Sequence, residues 1–412
     1  MTTAAALRPD VAAPPPSPAT VERPRRRWLA ALAISVVLGI ACGLSIWGTS
    51  VELGGAIGSR AFWWALLFAS VPVPFLVALF WWLDRLRPEP SWLLLTALLY
   101  GAFLSTYASL LLNTWLADLV GDPAGTTPRA AVFVAPWVEE AAKALIVFAL
   151  VIWRRHDFNA VVAGVVYGGL AGVGFAFTEN IIYYGQLFQL AVNAGADGGQ
   201  ALDAVQELFV VRGLAAPFVH PMFTLVTGIG VGLAVRHRHV GVRILAPVAG
   251  YCGAVLLHMG YNALASFTRP QHLVAVYLCI LIPSLIVLVT VVVLTRRHER
   301  RVIGARLQDY ATFGWLTPDQ LPYIVIPARR RQARRHVRQL GKAERERLRT
   351  FQRTGVELGV LRDRLVRGVA GQQVLGRERT LIATMRSLRG RVMLPSGAEP
   401  DHRRITTTAS SW

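Results

Sequence analysis

Lysine is almost missing from this chain of 412 residues: only Lys143 and Lys342 occur among 43 Lys and Arg residues. Positive charge is therefore supplied by arginine, and a lysine inside an apolar run stands out. Cysteine is scarce as well. Cys42, Cys252 and Cys279 all fall in apolar stretches, which excludes a disulfide framework and a cysteine metal site and leaves them as small packing residues. Charged residues make up only 16% of the chain, too few for the surface of a soluble protein of this length. The His-Glu-x-x-His pattern of soluble zinc hydrolases, a Gly-rich nucleotide loop and a Gly-x-Ser-x-Gly elbow are all lacking. Those absences remove the common soluble hydrolase and nucleotide-binding classes.

What the chain has in abundance is apolar sequence. Hydrophobic residues reach 54%, and the mean hydropathy is +0.44. Runs of about 20 apolar residues predict an all-α polytopic membrane protein. Eight spans are expected, near 28–48, 61–83, 91–113, 131–153, 160–184, 213–235, 243–267 and 273–295. Residues 1–27, rich in Ala and Pro and ending in Arg25, Arg26 and Arg27, read as a disordered basic leader. Residues 28–295 form the membrane domain. Residues 296–412 form an Arg-rich, partly helical tail with 26 Lys and Arg against 10 Asp and Glu, which accounts for +16 of the net +19.

Loop arginines orient the spans. With the leader in the cytosol, cytosolic loops hold Arg85 with Arg87, Arg154 with Arg155, and Arg236, Arg238 and Arg243, while outer loops hold Arg60, Arg129, Arg212 and Arg269 singly. The positive-inside rule then puts both termini in the cytosol of a cell membrane, as in a bacterial plasma membrane. The Gly-rich, acidic loop from Ala191 to Arg212 lies outside, as a lid or a surface helix. The basic tail, with a helix-like stretch from Ala333 to Val369, faces anionic lipid. Nothing in it resembles a base-stacking pattern, so no nucleic acid is expected.

Against that background, residues 131–153 are anomalous: Glu139, Glu140 and Lys143 lie inside a run long enough to cross a bilayer. Ionisable groups at membrane depth are costly and mark function by default. Lys143 reaches either carboxylate at helical spacing. The other such groups inside spans are Glu179, His220 and His258. At 1.5 Å per residue, Glu139 lies about 12 Å, His220 about 10 Å, His258 about 13 Å and Glu179 about 7 Å from the outer end of its span. Four helices thus place carboxylates and imidazoles in one layer of the outer half of the bilayer. Asn180 follows Glu179, and Asn262 follows His258 by four residues, so both amides stand beside the layer.

Two chemistries suit this set. Two histidines and a glutamate (His220, His258 and Glu140) make a catalytic zinc set with an open position for water. Alternatively a glutamate acts as base on water without metal, with His and Asn stabilising the tetrahedral intermediate. Both amount to hydrolysis in the membrane plane.

The motifs Glu139-Glu140-x-x-Lys143, Gly174-Phe175-Ala176-Phe177-Thr178-Glu179-Asn180, Arg212 followed by His220, and His258-x-x-x-Asn262 resemble the PrsW family of intramembrane proteases. These are relatives of the CAAX prenyl-protease and bacteriocin-processing superfamily. The turn with Asp84 and Glu89-Pro90, and Tyr167-Gly168-Gly169, also resemble that family, so the likeness covers about residues 60–270. It implies an intramembrane peptidase of metalloprotease type. Glu139 and Glu140 would be the catalytic or metal-coordinating carboxylates, Glu179, His220 and His258 would complete the site, and Asn262 would polarise or position. Its implied substrate is a single-pass membrane protein, such as an anti-sigma factor, cut near the outer face. The related superfamily often has His where this chain has Glu179.

Two rival readings are a proton- or cation-coupled transporter using the same carboxylates, and a scaffold that binds membrane helices through Gly164, Gly168 and Gly172. The first would need paired interrupted helices in two repeated halves, and no internal repeat is evident. The second rests on small residues at spacing four.

Overall fold

The computed structural model describes residues 58–119, 128–153, 161–267, 272–368, 373–388 and 390–395. The leader and the first expected span, 28–48, lie outside these. The described residues are helical with no strand, and they fall into two compact units that meet in sequence between Thr295 and Arg296.

In the membrane unit the helices are α1 (Gly58–Ser70), α2 (Val73–Leu83), α3 (Ser91–Leu99), α4 (Thr106–Leu119), α5 (Ala135–Trp153), α6 (Val161–Asn193), α7 (Gly198–Phe209), α8 (Val219–Arg236), α9 (Val240–Phe267) and α10 (Leu273–Val276). α11 (Ile282–Thr312) begins here. Short π-helical turns, Tyr100–Ser105, Ala130–Val134, Val210–Ala215 and Tyr277–Leu281, join α3 to α4 and lead into or follow α5, α7 and α10.

Six helical stretches are long and apolar enough to cross a membrane, for example Ser91–Leu119 and Val161–Asn193. α5 is 19 residues long and is not among the six. Glu139, Glu140 and Lys143, the groups that made it anomalous, reduce its apolar character. The boundaries also moved. The helix from Val161 runs on to Asn193, and the stretch from Ala191 to Arg212, expected as a loop, is largely the helix α7, started by a capping box in which the Asp197 side chain accepts from Gly199 N–H and Gln200 N–H. Of the two expectations for that loop, the helix is what forms.

α6 is the centre of the unit. Of its apolar stretch 89% is buried, against 17% for Arg60–Leu86 and for Val240–Phe267. Lipid offers no hydrophobic force between helices, so close contact depends on small residues. A Cβ on Gly168 would lie 2.7 Å from Thr224 O, and one on Gly172 would lie 2.6 Å from His220 O. Gly164 likewise faces Gly228 with no room between the backbones. The glycine face read as a dock for other membrane helices is therefore already covered by α8, which corrects the scaffold reading. Outward, Trp81, Trp82, Trp92 and Trp153 stay exposed at the ends of α2, α3 and α5, with Trp92 and Trp153 rings 5.6 Å apart. Such amphipathic rings suit a membrane–water boundary.

The second unit is more than a partly helical tail. It contains the end of α11, then α12 (Leu321–Val325), α13 (Pro327–His336), α14 (Lys342–Val366) and α15 (Gln373–Leu388). Ile303, Leu307, Ile324, Leu348 and Phe351 are fully buried in it. The stretch from Ala333 to Val369, expected as one helix, is divided at Gly341, whose φ of 98° is a left-handed conformation that glycine adopts freely. Buried Gln352 ties the parts together: its Nε2 donates to Tyr323 O at 3.0 Å and its Oε1 accepts from Arg334 Nε at 3.0 Å. Burial, and then neighbouring Arg334, push the Arg330 guanidinium down to about 10, so it remains charged at neutral pH while donating to Ile324 O.

Candidate active site in the membrane unit

The carboxylates and imidazoles expected in one layer are in contact. Glu140 is wholly buried and both of its oxygens are engaged. Oε1 lies 2.6 Å from Lys143 Nζ and 3.0 Å from His258 Nδ1, and Oε2 accepts from Thr224 Oγ1 at 3.1 Å. A charge removed from water needs such a full set of partners. Lys143, one turn on, also lies 3.2 Å from His220 Nδ1 and 4.1 Å from the centre of the Phe175 ring.

The clamp on Nδ1 decides what His258 presents. With Nδ1–H donated to Glu140, the lone pair of Nε2 points away from that carboxylate, and the nearest acidic oxygen is Glu139 Oε2 at 3.8 Å. A carboxylate on the far nitrogen that fixes tautomer and ring orientation is the usual support of a metal-binding or basic histidine. Glu139 itself is held on one side only. Its Oε1 accepts from Asn113 Nδ2 at 3.2 Å, while buried Oε2 has no hydrogen-bond partner among the described residues.

Glu179 forms a second group. It lies 2.7 Å from His220 Nε2, and its Oε2 accepts from Arg212 Nη2 at 2.6 Å. Arg212 Nε donates to Asn180 Oδ1 at 2.8 Å, and the guanidinium sits 4.1 Å from the Tyr183 ring centre. Arg212 thus comes from the π-turn after α7 to join the pair Glu179–Asn180 on α6. Asn262 stands apart. Its Nδ2 donates to Ala131 O at 2.8 Å, which ties α9 to the turn before α5.

Two contacts were not read from sequence. Thr224 follows His220 by four residues on α8, a spacing that puts both on one face, but a threonine in a span is too common to stand out. Asn113 falls at the very end of an expected span, where an amide reads as interfacial.

Glu139, His220 and His258 offer ligand atoms that all lie within 4.8 Å of one another. This differs from the expected set in one member: Glu140 is replaced by Glu139, because Glu140 is already committed to Lys143, His258 and Thr224. The donors, one carboxylate and two imidazoles, fit a divalent ion such as zinc, and the unpartnered Glu139 Oε2 is where such an ion finds a buried acceptor. His220 fits less directly. The Lys143 ammonium can only donate, so Nδ1 accepts and Nε2–H donates to Glu179. His220 turns a lone pair to an ion only by releasing one of these two contacts.

Buried carboxylates, imidazoles and a lysine thus converge from α5, α6, α8 and α9, and the unit is of the class of polytopic helical membrane proteins with an ionisable centre inside the bundle. The model of the family described as PrsW family intramembrane metalloprotease matches residues 89–293, about half of the chain and nearly all of the site. Over this stretch the chain belongs to the PrsW family. It is also similar to Protease PrsW of Clostridioides difficile (strain 630), with 33% identity over 132 residues, which is 31% of this chain and 55% of that protein. The chain therefore spans about half the length of this curated relative. No solved structure matches it significantly.

Proposed function

We propose that the chain is an intramembrane peptidase that hydrolyses a peptide bond of membrane-protein substrates near the outer face of the membrane, with both of its own termini in the cytosol. A single-pass anti-sigma factor is a substrate of the expected kind. The observation that carries the reading is the clamp of His258 Nδ1 by Glu140, which turns Nε2 towards the unpartnered oxygen of Glu139. A buried carboxylate with a free oxygen beside an oriented imidazole can take a proton from water and hold the resulting charges apart.

In the metal-free form of the mechanism, Glu139 Oε2 accepts the proton of the attacking water while Asn113 fixes Oε1. His258 Nε2 aligns the water, and Glu140 keeps that ring in one tautomer. Lys143 stays paired with Glu140 throughout, as a positioning charge. In the metal-assisted form, Glu139, His220 and His258 would hold a zinc ion, which when bound supplies Lewis-acid polarisation and a more acidic water. The basic second unit would rest on anionic lipid through electrostatic attraction.

The test is cleavage of a transmembrane peptide library by the purified chain in lipid, compared with Glu139→Gln and His258→Ala. Loss of cleavage in both variants, with the wild type active, is the expected result. Equal cleavage by all three would overturn the reading.

A further inference from the structure

A hydrolase inside a bilayer must hold water where lipid surrounds it, and one face of α4 and of the π-turn that leads into it carries the groups to do so. Ser105, Ser109 and Asn113 recur at a spacing of four, so their side chains lie in one row on the helix. Ser105 is wholly buried and Ser109 is 2% exposed. Among the described residues neither hydroxyl has a hydrogen-bond partner, and neither does Asn113 Oδ1. The opposite side of the helix, with Leu111 and Trp115, is exposed and apolar. The row is therefore turned into the bundle, and its Asn113 end touches Glu139.

A serine in a helix ordinarily satisfies itself on the carbonyl four residues back. For Ser105 that carbonyl is Gly101 O, which already accepts from Thr106 Oγ1 at 3.0 Å. The π-turn Tyr100–Ser105 creates this arrangement, because its wider coil brings Thr106 over Gly101. Such π-insertions recur at functional sites. Three unpartnered polar atoms in a row, ending at a fourth on Glu139 Oε2, supply the polar partners that a file of water molecules requires.

The geometry points to a water-holding column along Ser105, Ser109 and Asn113 that feeds the hydrolytic site at Glu139. The row spans about 12 Å at 1.5 Å per residue, enough for a short file of waters. The presence of the water stands on these side chains alone, and its use in catalysis rests on the peptidase reading. Neither serine touches the reacting atoms, so both are positioning residues for water.

Two measurements test it on the full chain in lipid. The first is a density map fine enough to show ordered water. Water within about 3.2 Å of both serine Oγ atoms is expected. Hydroxyls turned onto their own helix with no water between α4 and Glu139 would overturn the column. The second is kinetics on the transmembrane peptide, using Ser105→Ala, Ser109→Ala and Ser109→Val. Each alanine variant should lower kcat about 3- to 10-fold, the scale of one lost hydrogen bond, with KM unchanged, and the valine variant should lower it further by filling the file. A merely structural role would shift thermal stability without this split. If both alanine variants match the wild type, the supply of water through this row is overturned. If the wild type itself cuts nothing, the peptidase reading fails and the density alone decides whether the column holds water.

Discussion

Glu140 Oε1 sits 3.0 Å from His258 Nδ1, while the same ring holds Nε2 3.8 Å from Glu139. Two adjacent glutamates on one helix thus have opposite duties. One is saturated with partners and orients a histidine, and the other keeps an oxygen open.

This division predicts different failures for the two carboxylates. Glu140→Gln leaves Lys143 charged and poorly paired at a wholly buried site, so it should destabilise the membrane unit by about 3–5 kcal/mol. Activity should fall about 10- to 100-fold, as when a supporting partner of a ligating histidine is lost. Glu139→Gln should abolish activity with the melting temperature nearly unchanged. Thermal unfolding in detergent beside a peptide cleavage assay separates them, and equal destabilisation by both would contradict the assignment.

Lys143→Met should be about as destabilising as Glu140→Gln, since it leaves the carboxylate buried without its counter-charge. The double variant should lose less than the sum of the two, because neither charge is then unpaired. A double-mutant cycle of melting temperatures checks this. Strict additivity would mean that the 2.6 Å pair is not coupled.

The contact between α6 and α8 predicts a stability effect on residues that do no chemistry. Gly172→Ala would press a methyl group onto His220 O, now the near neighbour of that position. Such overpacking costs about 1–3 kcal/mol, and it should also lower activity by displacing His220. Gly260→Ala on α9, where nothing lies within 4 Å, should be neutral or slightly stabilising. Thermal unfolding of the two variants gives the comparison.

Removal of divalent ions distinguishes the two forms of the mechanism. If zinc serves the site, chelation should abolish cleavage reversibly, and elemental analysis should find about one ion per chain, lost in Glu139→Gln and His258→Ala. Activity that survives chelators in metal-free protein would assign the base role to Glu139 alone.

Much of this was legible in the residues themselves. Rare charges in apolar runs, counted along each span, brought Glu139, Glu140, Glu179, His220 and His258 to one level, and these are the groups in contact. The roles of the two glutamates were not legible, because adjacent residues on a helix point about 100° apart and only the packing of α8 and α9 decides which one meets Lys143 and His258. Asn262 illustrates the converse. Its spacing from His258 gave the correct face, but that face also carries the contact to Ala131. The fold of the second unit was hidden by its arginines: the charge suggested a surface, while Ile303, Leu307, Ile324 and Phe351 were too sparse along the sequence to announce a core.

The glycine seam between α6 and α8 has a consequence for traffic. Helices that touch backbone to backbone cannot part slightly; any opening between them forfeits the whole contact at once. On the proposed peptidase reading, a substrate helix is therefore expected to find no door on that side of the bundle. The contacts from α9 to α5 and its preceding turn that run through side chains, such as Tyr251 to Trp137 O at 2.8 Å and Asn262 to Ala131 O, can be broken and remade singly. The rigid seam carries Glu179 and His220, so whatever moves to admit a peptide leaves that half of the site in place.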